Sequence, residues 1–329
     1  MARPVTIFTG QWGDLSLEEI CKLAQEMGYD GLELATWAHI EVSRAAKDEA
    51  YVQEIKDMLK KYNLICTALG AHLPSQCVGD LWDKRLDGFA PSKFSGQPDK
   101  IREWAIEELK DTARAAKAMG CGVVTGFMGS AVWKYWYSFP QTSEEMIEDA
   151  YTEQRELWTP IFDVFDECGI KFALEVHPTE IAFDYWTTKR LLEKFEYRPT
   201  LGLNFDPSHL IWQGINPTLF LQDFIERVYH VHIKDAFVNL DGRNGILGSH
   251  LTFGDMKRGW NFASPGHGDV DFEKIIRVLN EGNYQGPLSV EWEDSGMERV
   301  YGGTDACRFV RRINFQPSDI AFDDALKSE

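Results

Sequence analysis

Eight short runs rich in β-branched and aromatic residues recur along this 329-residue chain: VTIFTG, GLEL, ICTALGAH, GVVTGF, KFALE, LGLNFD, VYHVHIKD and PLSVEWE. Stretches of helical period separate them, and strands alternating with helices are the pattern of a parallel sheet wrapped by helices. Eight such units predict an α/β chain closed on itself, a (β/α)8 TIM barrel. The first helix carries its own boundary signals: Ser16 as N-cap, Glu19 in the capping-box position and Gly28 as the stop. Further helices are expected over residues 51–62, with Ile55, Met58, Leu59 and Tyr62 on one face, and over 99–119, ended by Gly120. Residues 73–98, the segment MGSAVWKYWYSFP and residues 235–268 lack periodicity and read as long loops at the C-terminal mouth of the barrel. No linker or shift in composition marks a second domain, so residues 1–313 are expected to form one barrel and 314–329 a tail.

Charge narrows the classes of partner. Against 34 basic residues stand 52 acidic ones, a net charge of −18. Such a surface repels phosphate backbones and anionic lipid, so neither nucleic acid nor a membrane is an expected partner. The start, MARPVTIFTGQWGD, lacks a basic segment followed by an apolar stretch, and no apolar run is long enough to cross a bilayer. A cytoplasmic location is therefore expected. Cys21, Cys66, Cys77, Cys121, Cys168 and Cys307 form no CxxC pair, which suggests neither a zinc knuckle nor a redox dithiol.

In a TIM barrel the chemistry gathers at the C-terminal ends of the strands. Glu175 ends the fifth run, Asp206 the sixth, His232 lies near the end of the seventh, and Glu291 near the end of the eighth. Asp206 follows Glu175 by 31 residues and His232 follows by a further 26, each close to a βα unit of ~30 residues. Three carboxylates brought together would repel one another and raise each other's pKa. A divalent cation resolves that conflict. Three oxygen donors and one nitrogen suit Mn²⁺ first, with Mg²⁺, Co²⁺ or Zn²⁺ as alternatives.

With the segments LEVHP, NFDPSHL, HVHIKD, GHGDVDF and SVEWE in view, the chain resembles the xylose isomerase-like TIM barrels, the sugar phosphate isomerases and epimerases. That family also includes ketose 3-epimerases, an inositol dehydratase branch and endonuclease IV. The resemblance extends from Val5 to Ile313. It implies the same metal set, Glu175, Asp206, His232 and Glu291, with Glu175 and Glu291 as an acid/base pair. It also implies a substrate contact for His209.

Further residues are candidates by position. His177, one alternation beyond Glu175, either exchanges a proton with substrate or orients a ligand. His72 at the third strand end and His267 in the glycine-rich SPGHGDVDF segment are candidate substrate contacts, and Asp271 reads as a helix cap. Trp12, Trp212 and Trp260 offer flat faces to a sugar, as Trp37 and Trp292 do with less reason. His230 reads as a deeper, structural residue; Lys234 could bind an oxyanion but reads first as an ordinary loop residue, and Asp235 either orients an imidazole or is a loop residue.

The expected activity is metal-dependent sugar isomerisation or epimerisation, by proton transfer beside a carbonyl through an enediolate. The alternative is a lyase or hydrolase that makes the same first step and then eliminates water or an aglycone from a keto-sugar, keto-inositol or oxidised glycoside. A DNA-repair reading is opposed by the charge and by the missing Asp-x-His pair after His232. A non-catalytic sugar binder is opposed by the intact set of four ligands. The expected partners are a small sugar or sugar derivative and further copies of the chain, a second subunit being able to complete the site.

Overall fold

Ser16 and Glu19 close the capping box that their spacing predicts: the Ser16 hydroxyl accepts the Glu19 N–H, and the Glu19 carboxylate accepts the Ser16 N–H at 2.8 Å. In the computed structural model, which describes residues 2–135, 137–248, 251–320 and 323, this box starts α1 (Leu17–Met27) and Gly28 ends it with φ of 95°. Around it the elements run β1 (Val5–Phe8), β2 (Gly31–Ala35), α2 (Val42–Ala45), α3 (Glu49–Lys61), β3 (Ile65–Gly70), α4 (His72–Gly79), α5 (Pro98–Met119) and β4 (Val123–Gly126). There follow α6 (Glu144–Cys168), β5 (Lys171–Glu175), α7 (Tyr185–Lys194), β6 (Leu201–Phe205), α8 (Ser208–Ile211), α9 (Pro217–Phe224) and β7 (Val228–Ile233). The last are β8 (Asp235–Val238), β9 (Trp260–Ala263), α10 (Phe272–Glu281), β10 (Leu288–Val290) and α11 (Arg299–Ile313).

Eight of the strands form a closed parallel barrel in the order β1-β10-β7-β6-β5-β4-β3-β2. Helices cover the outside and side chains fill the inside, so β2 and β6 are buried at every position, as strands buried on both faces are. On the outside, Trp158, Phe162 and Phe165 of α6 pack their rings around Phe172 of β5. Gly70 ends β3 where a Cβ would overlap the ring of Phe8. Phe8 uses that space to lie beside the rings of His72 and His232, at 5.1 and 5.5 Å, which are themselves 5.8 Å apart.

The segments read as loops hold more structure than expected. Residues 73–98 contain most of α4 and two short 3-10 turns, Leu86–Phe89 and Ser92–Phe94. The helix leaves little periodic signal in the sequence because it is short, contains Pro74 in its first turn, where the ring is tolerated, and buries residues on all sides. The 235–268 insertion carries an antiparallel hairpin, β8 with β9, pairing Asp235 with Ala263 and Val238 with Trp260. The helix expected from Tyr51 begins two residues earlier, because Asp48 accepts the Tyr51 N–H as its cap. Asp271 caps α10 through the Lys274 N–H. After Ile313, residues 314–320 form neither helix nor strand, and Asn314 donates to the Arg3 carbonyl at 2.8 Å; most of the expected tail lies outside the described residues. Among these residues no helix is long and apolar enough to cross a membrane.

Candidate metal centre and active site

Glu175 is the last residue of β5, Asp206 and Glu291 immediately follow β6 and β10, and His232 is the fifth residue of β7. These four strands are consecutive around the barrel. One ligand atom from each of Glu175, Asp206, His232 and Glu291 lies within 4.8 Å of the others, and all four residues are buried. Nδ1 of His232 is 3.1 Å from Glu175 Oε2 and 2.8 Å from Glu291 Oε2. Nε2 of His209 is 3.2 Å from both Glu175 Oε1 and Asp206 Oδ2.

Those short distances are not all hydrogen bonds. Asp206 Oδ2, Glu291 Oε2 and His209 Nε2 are each buried without a partner in hydrogen-bond geometry. Their atoms converge on a common volume and do not aim at each other. Burying carboxylates uncompensated is expensive, so the arrangement fits a divalent cation held by three oxygens and His232 Nδ1.

Charge on the surrounding groups shows the same demand. Burial raises the Glu175 carboxyl, yet the imidazoles of His209, His232 and His72 crowded against it together outweigh that and hold the group well below the usual range. For Glu291, burial and Glu175 push up while the Lys234 ammonium and His232 pull down, leaving it at about 2. Burial lowers His232, but the carboxylates of Glu33 and Glu291 raise it well above its ordinary value.

Glu33, in the middle of β2, is the group that the sequence did not disclose. Its Oε2 lies 2.9 Å from His230 Nε2 and 3.0 Å from His232 Nε2, and accepts from Ser289 Oγ at 2.7 Å. Its Oε1 accepts from Thr125 Oγ1. Glu33, His230 and His232 also sit at ligand spacing, but here the carboxylate oxygens are saturated by donors. That cluster therefore positions His232: with its Nε2–H directed to Glu33, His232 presents Nδ1 to the four-ligand centre. Asn204 adds a donor, Nδ2 to Glu175 Oε2 at 2.9 Å.

Lys234, read as a loop residue, is buried in the site. Its Nζ lies 3.2 Å from Glu291 Oε1 and 3.1 Å from Glu293 Oε1. Gln11 Nε2 donates to the same Glu291 oxygen at 2.8 Å. Asp235 collects the N–H groups of Gly266, Gly268, Val270 and Ala236 at 2.9–3.2 Å.

A cavity of about 980 Å³ opens onto this cluster, with Glu175, Glu291, His72, His177, His209 and Lys234 in its wall. His72 Nε2 contacts Glu175 Oε2 at 3.1 Å. His177 donates from Nδ1 to the Pro178 carbonyl at 2.7 Å, which leaves Nε2 as an acceptor. Burial and the neighbouring His209 lower His177 to about 3, so the ring is neutral across the ordinary pH range. Trp212, Trp260 and Trp37 line the same cavity.

Two expected substrate contacts lie elsewhere. Trp12 is fully buried against Trp292, beneath α11, with the Arg299 guanidinium 4.6 Å over its ring. His267 is half-exposed and pairs with Asp305 of α11 at 2.9 Å. Asp235 fixes the turn around it by binding the N–H groups on either side, so the imidazole is carried to the outer surface.

The model of the family described as xylose isomerase-like TIM barrel matches residues 21–313. The uncharacterised protein YfiH of Bacillus subtilis (strain 168) is 26% identical over 309 residues, covering 89% of this chain and 94% of its own. An inosose dehydratase of Clostridium botulinum is 37% identical, but over 91 residues only, 28% of this chain and 30% of its own length. Among solved structures, 3-keto-D-glucoside 4-epimerase YcjR of E. coli superposes with a TM-score of 0.67 at 16% identity, covering 94% of this chain and 99% of its own. The IolI protein, solved with a zinc atom, gives 0.61 at 17% identity over 94% and 96%. A Mycobacterium smegmatis protein in complex with magnesium gives 0.63 at 14% identity over 95% and 96%. At these identities the structural likeness is one of fold. With the family match spanning most of the chain, and the closed eight-stranded barrel beneath it, this protein belongs to the xylose isomerase-like TIM barrel family.

Proposed function

We propose that the protein is a divalent-metal-dependent sugar isomerase or epimerase, with manganese as its ion, that moves a proton at a carbon beside a carbonyl. The observation that carries this reading is the convergence of Glu175, Asp206, His232 and Glu291, two of which, Glu175 and Glu291, line the cavity. A cation bound there supplies Lewis acidity toward a carbonyl and its neighbouring hydroxyl. Glu175 and Glu291 come from strands separated by two others, so each approaches the carbon from its own side. One carboxylate takes the proton and the other returns it. Lys234, against Glu291, keeps that carboxylate ionised and offers an N–H to a developing oxyanion. His177, neutral with a bare Nε2, accepts a substrate hydroxyl.

A second reading, elimination of water after the same proton abstraction, is favoured by the local 37% identity to an inosose dehydratase. Incubating manganese-loaded protein with free and 3-keto sugars in D₂O tests both. Deuterium gained at the carbon next to the carbonyl with otherwise conserved mass supports isomerisation. Loss of the mass of water supports elimination. No exchange and no mass change with any sugar would reject the proposal.

A further inference from the structure

We infer that Cys66 and Cys121 are a reversible modification site, at which a hydroperoxide oxidises two thiols to a disulfide that staples β3 to the approach of β4 at the N-terminal end of the barrel. The two cysteines stand 55 residues apart in the chain, so no short motif announces them. The fold alone brings them together.

Strand register carries the inference. β3 and β4 pair Leu69 with Val124 and Gly70 with Thr125. Carried back three residues along both segments, that register sets Cys66 opposite Cys121. Neighbouring strands lie about 4.8 Å apart, inside the ~4.4–6.8 Å between Cα atoms that a disulfide spans. The side chains meet accordingly: the Cys121 thiol donates to Cys66 Sγ at 3.2 Å. A bond of about 2.05 Å needs the sulfurs to close by about 1 Å. Little holds them back, since their other contacts are Cys121 Sγ to the Cys66 carbonyl and Cys66 Sγ to the Ala68 carbonyl, both at 3.6 Å, and a thiol is a weak donor.

Position gives the bond its consequence. The β3–β4 seam is the shortest ladder in the barrel, joined by those two residue pairs where every other seam has three or more. Cys66 and Cys121 lie on its N-terminal side, where the ladder has not begun. A covalent link there closes a long loop in the unfolded chain, the case in which a disulfide constrains that chain most. Glu175, Asp206 and Glu291 stand at the opposite ends of their strands, so the staple acts on stability and leaves the mouth of the barrel unlinked.

Cys66 is partly exposed beside the exposed Ile65, whereas Cys121 is 3% exposed. Cys66 therefore meets the oxidant first. With hydrogen peroxide its sulfur attacks one oxygen, the O–O bond breaks, and the second oxygen leaves as water with the thiol proton, giving a sulfenic acid. The Cys121 sulfur then attacks the sulfenic sulfur, the S–O bond breaks, and a second water carries off the remaining proton. Two thiols have lost two electrons and two protons, and one peroxide has become two waters. The Cys121 thiol and burial of the sulfur hold Cys66 well above the ordinary thiol range. Because the thiolate is the nucleophile, the reaction quickens as pH rises.

Native protein treated with hydrogen peroxide, alkylated in denaturant and digested with trypsin tests this by mass spectrometry. One linked pair of peptides is expected, with fragmentation placing the bond on Cys66 and Cys121 and not on Cys77, which shares the Cys66 peptide. Dithiothreitol should release it. Linking should speed about tenfold per pH unit, and the oxidised protein should melt roughly 3–6 °C above the reduced one. Cys66→Ser should abolish the link and the gain in Tm. Because Cys121 is buried, Cys168→Ser serves as a second series that alters a cysteine outside the pair and should keep both. Cys66 and Cys121 still free after peroxide treatment, a bond to any other cysteine, or a bond that forms only in denaturant would overturn the inference. So would a gain in Tm that survives in Cys66→Ser, or a link that brings no gain.

Discussion

The carboxylate of Glu33 lies 3.0 Å from Nε2 of His232, joining β2 to β7 across the barrel interior over 199 residues of sequence. That contact directs one imidazole nitrogen to Glu33 and leaves Nδ1 facing Glu175 and Glu291. Burial would raise Glu33, but His232 and His230 more than compensate and hold it well below the ordinary carboxylate range. Glu33→Gln preserves shape and removes the anion, so manganese affinity measured by calorimetry should fall about 10–100-fold. Unchanged affinity would deny Glu33 its positioning role.

Glu291→Gln removes an acid/base group. Turnover on whichever sugar shows deuterium exchange should drop by about 10²–10⁴-fold. Near-wild-type rates would assign the proton transfer to another group.

Lys234→Met leaves Glu291 buried without its ammonium partner. Burial then dominates and the carboxyl rises from its position at about 2. The acid limb of the pH profile of kcat/KM should therefore move to higher pH. Stability follows the same sign: the depressed carboxyl contributes above the unfolded value and loses that contribution as pH falls toward 2. Breaking the buried pair should also cost about 3–5 kcal/mol in denaturant unfolding. An acid limb that stays in place would separate Lys234 from the base.

Asp235→Asn weakens an anion that gathers four backbone N–H groups between β8 and α10. Urea unfolding should show a loss of about 1–3 kcal/mol. No loss would mean that the turn holds its shape without the charge.

Much of the fold was legible because each barrel strand is a local apolar run and each early helix carries local caps. Glu175, Asp206, His232 and Glu291 could be singled out because polar groups ending buried strands stand out against their neighbours. Glu33 could not, since GLELA reads as an ordinary strand and its partners His230, His232 and Ser289 lie 197 to 256 residues away. Lys234 was misread for the same reason: its burial depends on Glu291 and Glu293, which arrive from β10. Trp12 and His267 show the converse error, as proximity to a strand end does not fix direction. α11 covers the first and Asp235 turns the second outward. The β8–β9 hairpin was missed because its strands are short and 21 residues separate them.

Ion binding should also be visible in stability. Free Mn²⁺ at 100 times its dissociation constant should stabilise the native state by about 2.7 kcal/mol. A rise in Tm that chelator reverses checks this, and a Tm indifferent to both would count against a native cation site.

Anomalous diffraction from a crystal soaked in Mn²⁺ locates the ion itself. One strong peak is expected about 2.0–2.3 Å from Glu175, Asp206, Glu291 and Nδ1 of His232. A peak elsewhere, with those four side chains turned apart, would contradict it.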